Sequence, residues 1–122
     1  MKILYIDFDG MIHNYSSGWQ GADVASDPPV PGAIEFLHQA VRHFKVMILS
    51  SRSDTGGGIM AMKEFLYRHA PICGPDIEWT DLIEFPLSKP PAFLTIDDRA
   101  LTFTGTWPSI ESLLAFKPWY AK

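Results

Sequence analysis

Three short apolar runs, each followed directly by a cluster of polar residues, constrain the fold of this chain more than any other feature. The runs cover 3–6, 46–49 and 92–96. Short apolar runs are typical of strands that are buried on both faces of a parallel sheet. Strands that alternate with helices connect through right-handed crossovers, which bring the strand ends to one edge of the sheet. The sequence therefore predicts an α/β fold with a parallel sheet.

Apolar residues at helical spacing between and after these runs predict three helices. The first begins at Pro31, a favoured position for proline, the second covers about 58–69, and the last begins at Pro108. Glycines 56–58 lack the Lys-Ser/Thr of a phosphate-binding P-loop, so we expect a flexible entry to the second helix there. Two other segments are candidates for short strands: 82–83 and 101–103.

Size and composition indicate one globular domain over 1–122, with 47% hydrophobic residues. The net charge of −4 excludes a whole-protein basic field for nucleic acid. The single Cys73 excludes a disulfide framework and indicates a reducing compartment, so we expect a cytoplasmic protein. The first residues do not resemble a signal peptide, and no apolar stretch approaches the roughly 20 residues that span a bilayer, so we expect no membrane association.

The polar clusters after the three runs predict a site at the edge of the sheet. Asp7 and Asp9 follow the first run, 50–52 (Ser-Ser-Arg) follow the second, and 97–99 (Asp-Asp-Arg) follow the third. Ligands bind at such strand ends in open α/β sheets. Two carboxylates one residue apart beside a buried strand need a cation to offset their charge, and Mg²⁺ prefers oxygen ligands. We therefore expect a magnesium site there.

In their order along the chain, these residues resemble the four motifs of the haloacid dehalogenase-like (HAD) phosphohydrolase superfamily. Asp7-Phe8-Asp9-Gly10-Met11 resembles the first motif, and Ser50 at the end of the second run resembles the second. Lys89 is similar to the third motif, and Asp97-Asp98 is similar to the fourth. Each motif alone is weak, but the ordered set over about 1–105 is specific. The resemblance implies a Rossmann-like three-layer sandwich around a central, mostly parallel sheet. A chain of this length has minimal or no cap domain, with a small flap predicted at about 12–28.

The resemblance also implies Mg²⁺-dependent hydrolysis of a phosphomonoester through an aspartyl-phosphate on Asp7. Asp9 would protonate the leaving group and then activate water. The substrate would be a small phosphorylated molecule or a phosphorylated nucleic-acid end, such as a nucleotide or a polynucleotide 3′-phosphate. Further implied roles are phosphoryl binding by Ser50 and Lys89, substrate binding by Gly10, Ser51 and Arg52, and metal binding by Asp97 and Asp98 with the Asp7 carboxylate and the Asp9 backbone carbonyl.

Several residues near these motifs can each be interpreted in two ways. Arg52, in Ser50-x-Arg52, either contacts substrate phosphate, as in polynucleotide kinase/phosphatases, or caps a surface loop. Tyr15 and Trp19 either stack on a base or sugar or cover the core beside the flap. His13 follows the first motif closely enough to border the site, while the spacing of the four histidines excludes a zinc motif of the HExxH kind.

Two other functions remain open. A two-component receiver domain has similar length and residue types, but there a lone Asp ends the middle strand and the lysine comes last. Here the middle strand ends in Ser50, and Lys89 precedes the second acidic pair, Asp97-Asp98. A degenerate HAD-like member would bind phosphate or a partner without turnover. Two features bear on that alternative: Met11 replaces the usual Thr or Val, and no cap domain is expected. A separate departure concerns the placement of Lys89, because no helix lies between it and the third strand.

Overall fold

The central sheet of the protein has three parallel strands in the order β2-β1-β3, in a computed structural model that describes residues 1–89 and 91–121. The strands are β1 (Ile3–Ile6), β2 (Lys45–Ile48) and β3 (Leu94–Ile96). Leu4 of β1 lies between Val46 and Leu94 of its neighbours. The predicted α/β fold with a parallel sheet is confirmed.

Three α-helices accompany the sheet: α1 (Ala33–Ala40), α2 (Gly58–His69) and α3 (Ile110–Leu114). Two 3₁₀ helices cover Ala70–Cys73 and Glu78–Leu82. The entry to α2 explains the glycine run. Gly57 has a φ of +79°, and a Cβ on Gly58 would collide with the backbone carbonyl of Arg52. These glycines therefore serve a left-handed turn and a close backbone approach.

The hydrophobic core lies between one face of the sheet and helices α1 and α2. The strands contribute alternate residues, and the helices contribute residues at helical spacing. The buried cluster includes Leu4, Ile6, Val46 and Ile48 from the strands, Ile34 and Leu37 from α1, and Met62, Phe65 and Leu66 from α2. This packing holds the carboxyl ends of β1 and β2 rigidly beside each other.

The end of the chain differs most from the sequence-based prediction. Residues 101–103 form no strand, and Leu101 and Phe103 are 64% and 57% exposed. The last helix exists, with Ser109 as its N-cap, but none of its residues is buried. Helical spacing alone therefore did not show whether a partner layer covers these side chains.

The prediction of a strand at 82–83 is wrong, and a single β-bridge forms instead at the next residue. Leu82 ends a 3₁₀ helix, and Glu84 makes a single parallel bridge to Met47 beside β2. The amide of Glu84 donates to the Val46 carbonyl over 3.0 Å, and the amide of Ile48 donates to the Glu84 carbonyl over 2.9 Å. Among the helices of the described residues, none has the length and apolar character needed to cross a membrane.

Candidate active site

The strand order places the polar clusters on both sides of a topological switch point. The chain passes from central β1 to β2 on one side, and β3 lies on the other side. The crevice between two such strands is where open α/β sheets bind ligands. Asp7 follows β1, and Asp97 and Asp98 follow β3, with the Asp7 amide donating to the Ile96 carbonyl over 3.2 Å. The three carboxylates therefore meet in that crevice.

Asp7, Asp97 and Asp98 form the acidic cluster of the site. One carboxylate oxygen from each lies within 4.8 Å of those of the other two. Both oxygens of Asp98 are buried and have no hydrogen-bond partner among the described residues. Burial raises the pKa of Asp7 to about 7, and the charges of Asp97 and Asp98 add to that rise, against a backbone hydrogen bond from Phe8.

The acidic cluster fits a hard divalent cation. Its donors are all carboxylate oxygens, which Mg²⁺ prefers, and the oxygens of Asp98 lack the partner that a buried carboxylate requires. A cation held by Asp7, Asp97 and Asp98 would satisfy these oxygens and offset the repulsion that adds to the effect of burial on the pKa of Asp7. Asp9 is separated from Asp7 by one residue in the sequence, but its carboxylate does not belong to the acidic cluster.

A cavity of about 380 Å³ opens beside the acidic cluster. Several of the predicted residues line it, along with a tyrosine, a leucine and an arginine that were not assigned to the site: Tyr5, Asp7, Ser50, Ser51, Leu87, Asp97 and Arg99. Lys89 is near, because its Nζ lies 5.7 Å from the centroid of the Tyr5 ring. The structure therefore brings the predicted nucleophile and serine to one opening, with the lysine beside a tyrosine that lines it.

Gly10 has a structural role that its sequence motif did not reveal. Its φ is +79°, and a Cβ at this position would lie 2.5 Å from Asp98 Oδ2 and 2.7 Å from Tyr120 Cε1. Its backbone N–H donates to the His13 carbonyl over 2.9 Å, so this amide is not directed at a substrate. Met11 packs against the hydrophobic core, and its amide hydrogen-bonds to the Phe8 carbonyl, so the turn is ordered despite the unusual residue.

Arg52 is fully buried, so the prediction of a surface arginine is wrong, and its donors do not face the cavity as a substrate contact would require. Nε and Nη2 donate to the two oxygens of Asp9 over 2.8 and 3.0 Å. Nη1 donates to the carbonyls of Gly21, Ala22 and Val24 over 2.9, 3.0 and 2.7 Å. One guanidinium therefore joins the loop after β1 to Asp9.

His13 completes the surroundings of Asp9. Its Nε2 accepts the Asp27 backbone N–H over 3.0 Å, so this nitrogen carries the lone pair of a neutral ring. The proton is thereby assigned to Nδ1, which donates to Asp9 Oδ1 over 2.9 Å. His13 was predicted to border the site; its ring contacts Asp9 but is only 2% exposed and does not line the cavity beside the acidic cluster.

Three N–H donors keep Asp9 in its ionised form. Although burial acts in the opposite direction, the hydrogen bonds from His13 and Arg52 hold the pKa of Asp9 below its ordinary value. A carboxylate in this state accepts hydrogen bonds and has no proton to give. The predicted role of Asp9 as proton donor is therefore not available in this arrangement.

The predicted flap at about 12–28 folds back onto the strand ends. Besides the carbonyls held by Arg52, the amide and hydroxyl of Ser17 donate to Asp27 over 2.7 and 2.6 Å. Trp19 lies with its ring centroid 4.9 Å from Arg52 Cζ and keeps 52% of its surface exposed. Trp19 thus covers the buried guanidinium rather than the hydrophobic core.

The C-terminal aromatic residues reach the site, which the sequence did not predict. Trp119 Nε1 donates to the Gly10 carbonyl over 2.8 Å, across 109 positions of the chain. Arg99 Nη2 donates to the Tyr120 hydroxyl over 3.2 Å. No local pattern links residues so far apart, and only the high aromatic content of 117–120 could have drawn attention to them.

Comparisons of the chain with known protein families, with curated proteins and with solved structures find no match. The function of the site is therefore inferred from its own geometry and chemistry.

Proposed function

We propose that the protein is a Mg²⁺-dependent phosphohydrolase that cleaves a phosphomonoester, with Asp7 as the nucleophile. The acidic cluster at the switch point of the sheet carries the proposal, because it joins the Asp98 carboxylate, which has no hydrogen-bond partner among the described residues, to a predicted nucleophile. The motif residues lie at one edge of a parallel sheet, which supports a HAD-like fold with minimal or no cap as the finer description. The three-layer sandwich that the resemblance implies is not supported, because α1 and α2 pack on one face of the sheet and α3 buries no residue.

The chemistry begins with repulsion between a carboxylate and a phosphate. Two unit charges about 4 Å apart cost about 4 kcal/mol at an effective dielectric constant near 20. Mg²⁺ held by Asp7, Asp97 and Asp98 would supply the positive charge that offsets this repulsion. An oxygen of Asp7 then bonds to phosphorus as the bond to the leaving oxygen breaks, and water later displaces the phosphoryl group from Asp7.

Ser50 and Lys89 are suited to hold the transferred phosphoryl group. The Ser50 hydroxyl oxygen accepts the backbone N–H of Arg52 over 3.2 Å, which leaves its own hydrogen to donate to a phosphoryl oxygen. The ammonium group of Lys89, above the ring of Tyr5, adds positive charge at the cavity. Both groups stabilise negative charge without taking part in bond exchange.

The bonds of Asp9 influence which substrates should react fastest. While Arg52 and His13 hold Asp9 as a carboxylate, the leaving oxygen receives no proton from it. Substrates whose leaving group is already stable as an anion, such as aryl phosphates, should then react faster than alkyl phosphates. Nucleotides and 3′-phosphorylated oligonucleotides are the first natural classes to test, because Trp19 and Trp119 expose ring surface near the site.

A phosphatase assay with matched variants tests the proposal. Hydrolysis of an aryl phosphate should require Mg²⁺ and should fall at least about 10³-fold in Asp7→Asn, which loses the nucleophile. Asp54→Asn is the control, because Asp54 lines the same cavity but lies outside the acidic cluster, and its activity should be largely retained. Activity that survives in Asp7→Asn would exclude the covalent mechanism.

A phosphate-binding module without turnover is the second candidate, and the held state of Asp9 favours it. It would still bind metal and phosphate at Asp7. A beryllium fluoride adduct that forms on Asp7 with Mg²⁺, in a protein that hydrolyses none of the phosphate esters, would support this candidate over the hydrolase.

A further inference from the structure

We propose that residues 118–121 form a C-terminal strap that completes the acidic site from outside the sheet. Trp119 and Tyr120 act as positioning residues: Trp119 fixes the turn at Gly10, and Tyr120 covers the side of Asp98. The proposal rests on the metal site of the proposed function, but it does not require that the site turn over a substrate.

Trp119 holds the backbone of the first motif. Its side chain is 61% exposed, but its indole N–H donates to the Gly10 carbonyl over 2.8 Å. The N–H of Gly10 is bonded to the His13 carbonyl. Both backbone polar groups of Gly10 are thus fixed, one of them by the strap, at a residue where a Cβ would lie 2.5 Å from Asp98 Oδ2.

Tyr120 and Asp98 both lie close to Gly10, at the place where a side chain of this residue would stand. A Cβ on this glycine would come within 2.7 Å of the Tyr120 ring and 2.5 Å of Asp98 Oδ2, so no side chain fits there. The Tyr120 hydroxyl accepts a hydrogen bond from Arg99, which lines the cavity. The ring is therefore held where it helps to keep water from Asp98, whose oxygens are both buried.

The anchoring of the strap is specific and not a consequence of general packing of the tail. The chain leaves the site after Asp98 and returns to it at Trp119, and most side chains between these points are exposed. Helix α3, in the middle of this excursion, buries none of its residues. Tyr120 is more buried than nearly all of the residues that precede it in the excursion. The excursion is therefore fixed at the site and not along its length.

A strap of this kind should strengthen metal binding. Exclusion of water lowers the local dielectric constant and so strengthens the attraction between a cation and Asp98. Residues that orient metal ligands without touching the metal typically change metal affinity 10–100-fold when they are substituted. We expect losses of that size when the strap is removed.

Calorimetric titration of the full chain with Mg²⁺, and with Mn²⁺ as a second probe, tests the strap. Trp119→Ala and Tyr120→Ala should each raise the dissociation constant by about 10–100-fold. Trp119→Phe keeps a ring and removes only the N–H, so it should show most of the loss seen in Trp119→Ala. Trp107→Ala is the matched control, because Trp107 is 82% exposed within the same excursion, and its metal affinity should be unchanged.

The outcomes separate the strap from the proposed function. Metal affinity that is unchanged in folded Trp119→Ala and Tyr120→Ala proteins would overturn the strap. If either alanine variant does not fold, Trp119→Phe decides, and unchanged affinity in this variant overturns the role of the indole N–H. A wild-type chain that binds neither metal would overturn both proposals. Strap-dependent metal binding without any phosphatase activity would support the strap and remove the hydrolase.

Discussion

Asp7 and Asp9 are separated by one residue at the end of the same strand, yet their surroundings are opposite. Asp9 receives three N–H donors from Arg52 and His13, and its pKa lies below the ordinary value. Burial raises the pKa of Asp7 to about 7, and two more carboxylates lie beside it. The chain therefore supplies its own positive charge to Asp9, whereas the positive charge beside Asp7 would come from the cation that we propose.

This difference separates stability from function within a single motif. A buried carboxylate with charged and neutral N–H donors contributes to a fixed structure, here by joining the loop at 21–24 to the end of β1. In the acidic cluster, the oxygens of Asp98 have no hydrogen-bond partner among the described residues, and Asp97 Oδ1 accepts the backbone N–H of Arg99 over 2.8 Å. Neighbouring carboxylates with so few donors oppose folding, and such groups cluster at functional sites. The predictions below test whether the residues around Asp9 (the Asp9 side) and the acidic cluster around Asp7 (the Asp7 side) are as distinct as their geometry indicates.

The largest effect is expected from Arg52→Ala. Removal of one partner leaves Asp9 buried without its counter-charge and frees three loop carbonyls, so the free energy of unfolding should fall by about 3–5 kcal/mol. Chemical denaturation of wild type and variant measures the loss. Arg52→Lys is the control: it keeps the charge but not the forked geometry, so it should recover only part of the stability.

A double-mutant cycle with Asp9→Ala identifies the cause of that loss. If the pair carries the effect, the two substitutions together should cost less than the sum of the single losses. A loss below about 1 kcal/mol in Arg52→Ala would place it among exposed ion pairs and contradict the role assigned to this buried residue.

The sequence predicted the surroundings of Asp7 but not those of Asp9. The apolar runs predicted all three strands, and the order of polar clusters predicted the acidic cluster with Ser50 and Lys89 nearby. The partners of Asp9 could not be predicted, because Arg52 reads equally well as a substrate contact or as a surface residue. Its burial depends on where the loop at 21–24 folds, and that depends on contacts distant in sequence.

The free energy of unfolding should depend on pH because the pKa of Asp7 is raised in the folded chain. The pKa of Asp7 is about 7 in the folded chain against an ordinary 3.8, so the folded state binds more protons between these values. Stability of the metal-free protein should therefore fall as pH rises through this window, by at most about 4 kcal/mol. Asp9 acts in the opposite direction, because its contribution is lost as pH falls below its ordinary value.

Denaturant unfolding at pH 5 and pH 8, at matched ionic strength, measures this trend. Asp7→Asn is the matched variant, because it removes the titrating group and should flatten the fall. Saturating Mg²⁺ should also flatten it, since a bound cation replaces the protons that the folded state holds. A metal-free wild type that gains stability over this interval would contradict the raised pKa.

A smaller change is expected from Asp98→Asn. Replacing one of three neighbouring carboxylates reduces their repulsion, so the metal-free protein should gain about 1–2 kcal/mol of stability. The same variant should lose the increase in thermal midpoint that Mg²⁺ gives to the wild type. If Asp98→Asn were less stable than wild type and still stabilised by Mg²⁺, Asp98 would be a structural residue and not a ligand.

The smallest effect is expected from Trp19→Ala, which tests how separate the two sides are. Trp19 lies over the guanidinium of Arg52 but is about half exposed, so the lost cation–π contact should cost about 0.5–1 kcal/mol. Trp19→Phe should lose less, because a ring remains over Arg52. Denaturation gives the stability, and calorimetric titration gives the Mg²⁺ dissociation constant. Because Trp19 belongs to the Asp9 side, that constant should not change, in contrast to Trp119→Ala. A change would mean that the loop holding Asp9 also shapes the acidic cluster.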